Sequence, residues 1–253
     1  MNNLTEILEK AENYIHQLPT APAPLPVPQG KDIAAWIDHT LLKPEATAEQ
    51  VKQLCLEAKQ YQFATVCVNP VYVSLVYGLL KGNHVGVCTV IGFPLGANAA
   101  SMKAIEALHS LEMGASEIDM VMNIGALKGK AYGQVLNDIW AVKEVLHHEN
   151  AILKVILETA LLTREEKIIA CLLAESGGAD YVKTSTGFGP AGATVEDVDL
   201  MYRVVGKTMK VKAAGGIRSY QDALAMMRAG ASRIGTSAGI KIVNEAIHAE
   251  EVP

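Results

Sequence analysis

The sequence predicts an α/β fold: a (β/α)8 TIM barrel preceded by an N-terminal helix and a proline-rich tether. Three observations predict it. From Ala34 onward, short β-like runs alternate with stretches of helical period, which implies a parallel sheet with right-handed crossovers. Eight such units occupy about 220 residues, close to the usual ~250 of a closed barrel. No G-x-G-x-x-G fingerprint follows the first run, which disfavours a doubly wound open sheet.

Leu4 to Leu18 has the apolar spacing of a short amphipathic helix. Pro19, Pro22, Pro24, Pro26 and Pro28 then hold the chain extended, because proline fixes φ and donates no hydrogen bond. Residues 1–30 therefore read as an accessory helix and linker, and 31–253 as the barrel. The strands are expected at Ala35–Asp38, Ala64–Val68, Val85–Val90, Glu117–Val121, Ile152–Leu157, Tyr181–Lys183, Lys210–Ala213 and Arg233–Ile234. Between them, Val51, Leu54 and Ala58 share a helix face, as do Val135, Ile139, Val142 and Leu146, and Ile168, Cys171 and Leu172. Thr47, Thr163, Thr194 and Ser219 stand at N-cap positions. Gln50 and Glu166 complete capping boxes with the first two, while Asp197 and Asp222 match the pattern less well.

Composition narrows the function. The 253 residues are 50% apolar with a net charge of -5, and no basic stretch could track a phosphate backbone, so nucleic acid is not an expected partner. No apolar run approaches the ~20 residues of a membrane helix. A polar, acidic N-terminus argues against a secretory signal and for the cytoplasm. Cys55, Cys67, Cys88 and Cys171 form no C-x-x-C pair and read as reduced core thiols, with Cys67 at a strand end. The seven histidines lack metal-ligand spacing, and His147-His148 ends a polar helix, so neither a metal nor another cofactor is expected.

In a barrel of this kind, chemistry is placed at the C-terminal ends of strands. Here those ends carry Asp38-His39-Thr40, Asn69, Asp119 and Asn123, Lys154 and Glu158, Lys183, Lys212, and Gly235-Thr236-Ser237. Unpaired buried charge is unfavourable, so acids and amines converging at one mouth point to a site. Lys183 and Lys212 matter most. Two ammonium groups close together each lower the other's pKa, and a neutral amine attacks carbonyls. Lys183, followed by Thr184-Ser185-Thr186, is the expected nucleophile; Lys212 supplies positive charge, and Asp119 holds Lys212 or a water and moves protons. Asp38, Lys154 and Thr186 are expected to support them. Glycine turns after strands six to eight (Gly187 with Gly189, Gly215-Gly216, and Gly235 with Ser237), together with Arg218, suit a phosphate held by backbone N–H groups. Gly92-Phe93-Pro94-Leu95-Gly96 reads as a rigid loop over the mouth, with Phe93 either lining the pocket or packing on the rim.

Five segments taken together resemble the deoxyribose-phosphate aldolase family, in family order from about Ile33 to about Ile242. They are Asp38-His39-Thr40-Leu41-Leu42-Lys43-Pro44, Gly92-Phe93-Pro94-Leu95-Gly96, Glu117-Ile118-Asp119-Met120-Val121 with Asn123, Val182-Lys183-Thr184-Ser185-Thr186-Gly187, and Val211-Lys212-Ala213 with Gly215-Gly216-Ile217-Arg218. The resemblance implies a class I aldolase on a (β/α)8 barrel. Such enzymes reversibly cleave 2-deoxy-D-ribose 5-phosphate to acetaldehyde and D-glyceraldehyde 3-phosphate through a lysine Schiff base, in deoxyribonucleotide catabolism. It implies Lys183 as the Schiff-base lysine, Lys212 as the lysine that lowers its pKa, and Asp119 as the proton relay. Gly187, Gly215, Gly216, Arg218, Gly235 and Ser237 match the family's phosphate contacts. Two departures stand out: Phe188 replaces a lysine found in some members, and the chain ends Glu251-Val252-Pro253 where some members end in a tyrosine. The expected partners are small phosphorylated sugars and aldehydes, and the tethered helix is compatible with a homo-oligomer. The competing readings are a barrel aldolase with another donor, and a non-catalytic sugar-phosphate sensor.

Overall fold

A computed structural model describes residues 4–23, 25–147 and 149–251 of the chain. Pro24, His148 and the Val252-Pro253 end lie outside the described residues. Eight parallel strands close in sequence order: β1 (Ile37–Leu41), β2 (Thr65–Val68), β3 (Gly86–Ile91), β4 (Glu117–Val121), β5 (Ile152–Ile156), β6 (Tyr181–Lys183), β7 (Lys210–Ala214) and β8 (Arg233–Thr236). The helices are α1 (Leu4–His16), α2 (Ala48–Tyr61), α3 (Val73–Leu80), α4 (Ala100–Glu112), α5 (Ile124–Lys128), α6 (Tyr132–His147), α7 (Arg164–Ser176), α8 (Val195–Val205), α9 (Tyr220–Arg228) and α10 (Gly239–Glu251).

The expected strand boundaries hold for β4 and β6 and shift by a residue or two elsewhere, with one larger correction. The expected strand Ala35–Asp38 begins only at Ile37, because Gly30–Trp36 forms a 3₁₀ helix. That turn packs on α10 instead of joining the sheet, and Ile33 and Ala34 are buried there. The caps form as the side-chain chemistry dictates. Thr47 with Gln50 and Thr163 with Glu166 complete capping boxes at α2 and α7. Ser219 and Asp222 complete a third at α9, more than the shorter aspartate suggested. At α8 the Thr194 hydroxyl accepts from the Asp197 N–H, but the Asp197 carboxylate binds Lys167 at 2.6 Å instead of reaching back.

The N-terminal segment lies against the barrel. Ile7 and Ala11 of α1 are buried, and α1 packs on α7 with an ion pair of 2.8 Å between Lys10 and Glu175. Further on, Leu25 and Val27 pack against the core, and the Tyr202 hydroxyl donates to the Ala23 carbonyl at 2.8 Å. Apolar residues set between the prolines thus make this stretch a strap along the surface.

Register places the site. Lys183 is the direct neighbour of Lys212 on β7, and Lys212 that of Arg233 on β8. On the other side Asp119 of β4 neighbours Lys154 of β5. Barrel closure, β1 against β8, sets Asp38 beside Gly235.

Candidate active site

Side chains alternate faces along a strand, so Glu117 and Asp119 of β4 point to the same side. That side is the barrel interior, where Asp119 is fully buried. Its Oδ2 accepts from Lys183 Nζ at 2.8 Å and from Lys212 Nζ at 2.6 Å. The two amines therefore share one carboxylate oxygen. Asp119 Oδ1 accepts from Lys154 Nζ at 2.8 Å and from the Cys88 thiol at 3.3 Å. Lys212 Nζ also lies 2.6 Å from Asp38 Oδ2, and Lys154 Nζ 2.6 Å from Glu117 Oε2. Arg233 closes the array, 2.6 Å from Asp38 Oδ1 and 3.2 Å from Glu117 Oε2. Thr65 donates to Asp38 Oδ1 at 2.7 Å.

These contacts decide the charge states. Burial alone would raise the Asp119 carboxyl, but Lys154, Lys183 and Lys212 outweigh it and hold it well below the carboxylate range. Asp38 is held low in the same way, burial being overcome by Lys212, Arg233 and Lys154. Burial pulls Lys212 down, yet Asp119 and Asp38 together push it above the ordinary lysine range. This corrects the expectation that each amine lowers the other: Lys212 gains more from two carboxylates than it loses to neighbouring cations, and it stays an ammonium. Lys154 is raised likewise, with Asp119 the largest of the carboxylates opposing its burial.

A cavity of about 340 Å³ opens above this layer. Lys183 reaches it; Lys212, Asp119 and Lys154 lie beneath. All six expected phosphate residues line it: Gly187 from the loop after β6, Gly215, Gly216 and Arg218 from the loop after β7, and Gly235 and Ser237 at the end of β8. Gly187, Gly215 and Gly216 have φ of 88°, 89° and 81°, a left-handed backbone that disfavours side chains. Thr186 also lines the cavity, with its hydroxyl and N–H both donated to Glu158 Oε2. Among the mouth residues named from sequence, Asn123 caps α5 through Ala126 N–H and Asn69 donates to the Leu42 carbonyl, so both shape loops.

Cys67 is buried and borders the site: with Leu42, Cys88 and Val90 it forms an apolar cluster separate from the main core. Phe93 packs against that cluster and meets the half-exposed Phe188 edge-on at 5.4 Å, so it belongs to the rim packing. Glu158, one of the strand-end acids named from sequence, completes the site together with Glu117, Cys88 and Arg233, which were not singled out as site residues. For two of them the period-2 alternation was a usable signal. Glu117 precedes Asp119 by two and Arg233 precedes Gly235 by two, so each shares the inner face of its strand.

Residues 33–245 match the DeoC/LacD family aldolase. Among curated relatives, the deoxyribose-phosphate aldolase of Caldanaerobacter subterraneus subsp. tengcongensis is 58% identical over 215 residues, covering 85% of this chain and 93% of that one. A crystal structure described as a putative deoxyribose-phosphate aldolase from Coccidioides immitis superimposes with a TM-score of 0.89 at 48% identity, over 96% of this chain and 97% of that one. The deoxyribose phosphate aldolase from Aeropyrum pernix, described as having a unique tetrameric structure, gives 0.80 at 33% identity, over 96% and 97%. With its barrel, its two lysines on one aspartate and these likenesses, the chain belongs to the DeoC/LacD family of aldolases.

Proposed function

We propose that this protein is a class I deoxyribose-phosphate aldolase, reversibly cleaving 2-deoxy-D-ribose 5-phosphate to D-glyceraldehyde 3-phosphate and acetaldehyde. The observation that carries the reading is the division between two lysines on one oxygen: Lys183 borders the cavity, and Lys212 is sealed below it between two carboxylates. The first has access to an aldehyde; the second is a fixed positive charge.

In the synthetic direction, the neutral Lys183 amine adds to the acetaldehyde carbonyl, and the carbinolamine takes up a proton from water and loses water to give a protonated imine. The imine withdraws electrons, so a methyl proton becomes acidic. Asp119 accepts that proton through Lys212 or a bound water, leaving an enamine. The enamine carbon attacks the aldehyde of glyceraldehyde 3-phosphate, whose phosphate is held by Gly187, Gly215, Gly216, Gly235 and Ser237 backbone groups with Arg218 above. Water then hydrolyses the new imine, returning the lysine. Asp119 returns its proton to the alkoxide formed with the carbon–carbon bond and is again the anion that faces the iminium charge, 2.8 Å from Lys183 Nζ. Asp38 and Lys154 fix the positions of Lys212 and Asp119, and Thr186 shapes the cavity wall. Proton transfers of this kind are typically worth roughly 10²–10⁴-fold each.

Residues 1–30 act as an accessory strap and 31–253 as the catalytic barrel, working in deoxyribonucleotide catabolism in the cytoplasm. Among the described residues, no helix is long and apolar enough to cross a membrane. The tetrameric relative from Aeropyrum pernix supports a homo-oligomer, which light scattering after size exclusion would measure. The activity itself is tested by a coupled assay for glyceraldehyde 3-phosphate released from deoxyribose 5-phosphate. Turnover with that substrate and none with keto-acid adducts supports the reading; binding without turnover contradicts it.

A further inference from the structure

Just past the end of β5, Glu158 breaks two local rules. Its backbone sits at φ 55° and ψ 62°, a left-handed conformation that is strained for a residue with a side chain. The residue is 2% exposed, yet among the described residues its Oε1 has no hydrogen-bond partner. A buried carboxyl left half-paired is a poor source of stability. Strain and an unpaired acceptor persist together where they serve a site. The other oxygen, Oε2, accepts both from the Thr186 N–H, at 3.2 Å, and from the Thr186 hydroxyl. The loop after β6 closes over this carboxyl at Gly189, where a Cβ would come within 2.8 Å of it.

A hydroxyl has one proton to give and two lone pairs with which to accept. Thr186 gives its proton to Glu158, and one lone pair accepts from the Phe188 N–H at 3.0 Å. What Thr186 keeps for a ligand in the cavity it lines is a single lone pair. Such a group fits a ligand O–H and offers nothing to a phosphate or carbonyl oxygen. Two other threonines on the wall, Thr40 and Thr236, give their protons to the Asp38 and Ile217 backbone carbonyls, at 2.7 and 2.8 Å. Thr186 instead has a side chain dedicated to taking its proton. In sequence it lies between Lys183, which bonds the donor aldehyde, and Gly187 of the phosphate rim, and all three line the cavity. Glyceraldehyde 3-phosphate spans that interval with one hydroxyl, on C2. We propose that Glu158 is a positioning residue that sets acceptor specificity: by taking the Thr186 proton, it leaves the Thr186 hydroxyl as an acceptor for the 2-hydroxyl of the incoming aldehyde.

The inference rests on the aldolase reading, and its test keeps the two apart. Aldol addition of acetaldehyde is measured with D-lactaldehyde and with propanal, which differ only in the 2-hydroxyl, and with glyceraldehyde 3-phosphate as the reference acceptor. The readout is kcat/KM for lactaldehyde divided by that for propanal, compared between variants so that the intrinsic reactivity of the two aldehydes cancels. Glu158→Met should lower this ratio by about five- to tenfold, the effect of one neutral hydrogen bond. Thr186→Val should lower it by a similar factor, and the two together no further. Glu158→Gln should hold the ratio within about twofold of wild type. The Thr186 N–H needs an acceptor, so the amide turns its oxygen there, and that oxygen also takes the hydroxyl proton. If Glu158→Met does not fold, Glu158→Gly, which suits the left-handed backbone, takes its place. A ratio unmoved by Glu158→Met limits the residue to holding the loop, even where both rates fall. That result, a ratio unmoved by Thr186→Val, or a glutamine that fares no better than methionine overturns the inference, while turnover of glyceraldehyde 3-phosphate leaves the aldolase reading standing. A wild-type enzyme that forms no product from glyceraldehyde 3-phosphate sinks that reading and this inference with it.

Discussion

Inside the barrel, Asp119 takes three lysine side chains on its two oxygens; at the rim, Gly187, Gly215 and Gly216 offer the cavity no charge at all. The interior charges sit on strands, locked by register and nearly dry. The rim is loop backbone held in a conformation suited to glycine, with the exposed Arg218 and Lys43 as its cations. The difference follows from what each region must do. A lysine that has to lose its proton needs neighbours whose charges are fixed before substrate arrives. A phosphate that comes and goes is better met by neutral N–H dipoles, which leave no unpaired charge behind when the site empties. Bond making and phosphate holding should therefore be separable by mutation.

The sharpest break is Lys183→Met. Loss of a covalent nucleophile should lower kcat by about 10⁴-fold or more, while calorimetric binding of glyceraldehyde 3-phosphate stays within a few-fold of wild type. Comparable losses in both would merge the two regions into one. Next is Lys212→Leu, expected to cost roughly 10²–10⁴-fold in cleavage rate. It removes a cation that stays charged, so the acid limb of the pH–rate profile should also move upward; an unmoved limb would remove Lys212 as the tuning charge. At the rim, Gly216→Ala meets no atom within 4 Å but places a side chain at φ 81°. Left-handed strain of about 1–2 kcal/mol should raise KM for the phosphorylated aldehyde by roughly tenfold and leave an unphosphorylated acceptor unaffected. An equal effect on both acceptors would say that the loop does not read phosphate. The smallest effect belongs to the strap. Tyr202→Phe loses the bond to Ala23 and should lower Tm by about 2–4 °C, for ~1 kcal/mol, with kcat unchanged.

The interior and the rim were also unequally legible in the sequence. Glycine turns after successive strands announce the rim because they are local: the conformation and the residue type lie in one short segment. The strands β4 and β6 could be bounded because turn residues or polar residues flank their apolar runs. Ala35 and Trp36 look as β-like as Ile37, and only packing against α10 decides that they form a turn. The charge balance was hidden for a related reason. Asp38 lies on the first strand and Lys212 on the seventh, and they meet only because β1 pairs with β8 to close the barrel. Reading Lys183 and Lys212 as an isolated pair gave a mutual lowering; the closed barrel adds the carboxylates that reverse it for Lys212.

The central claim is that one amine of this buried array, Lys183, bonds covalently to the aldehyde. Reducing the enzyme with borohydride in the presence of acetaldehyde, then mapping the modified peptide by mass spectrometry, tests it directly. The account predicts a single two-carbon adduct on Lys183. An adduct confined to Lys212, or an unmodified chain that still turns over, would contradict it.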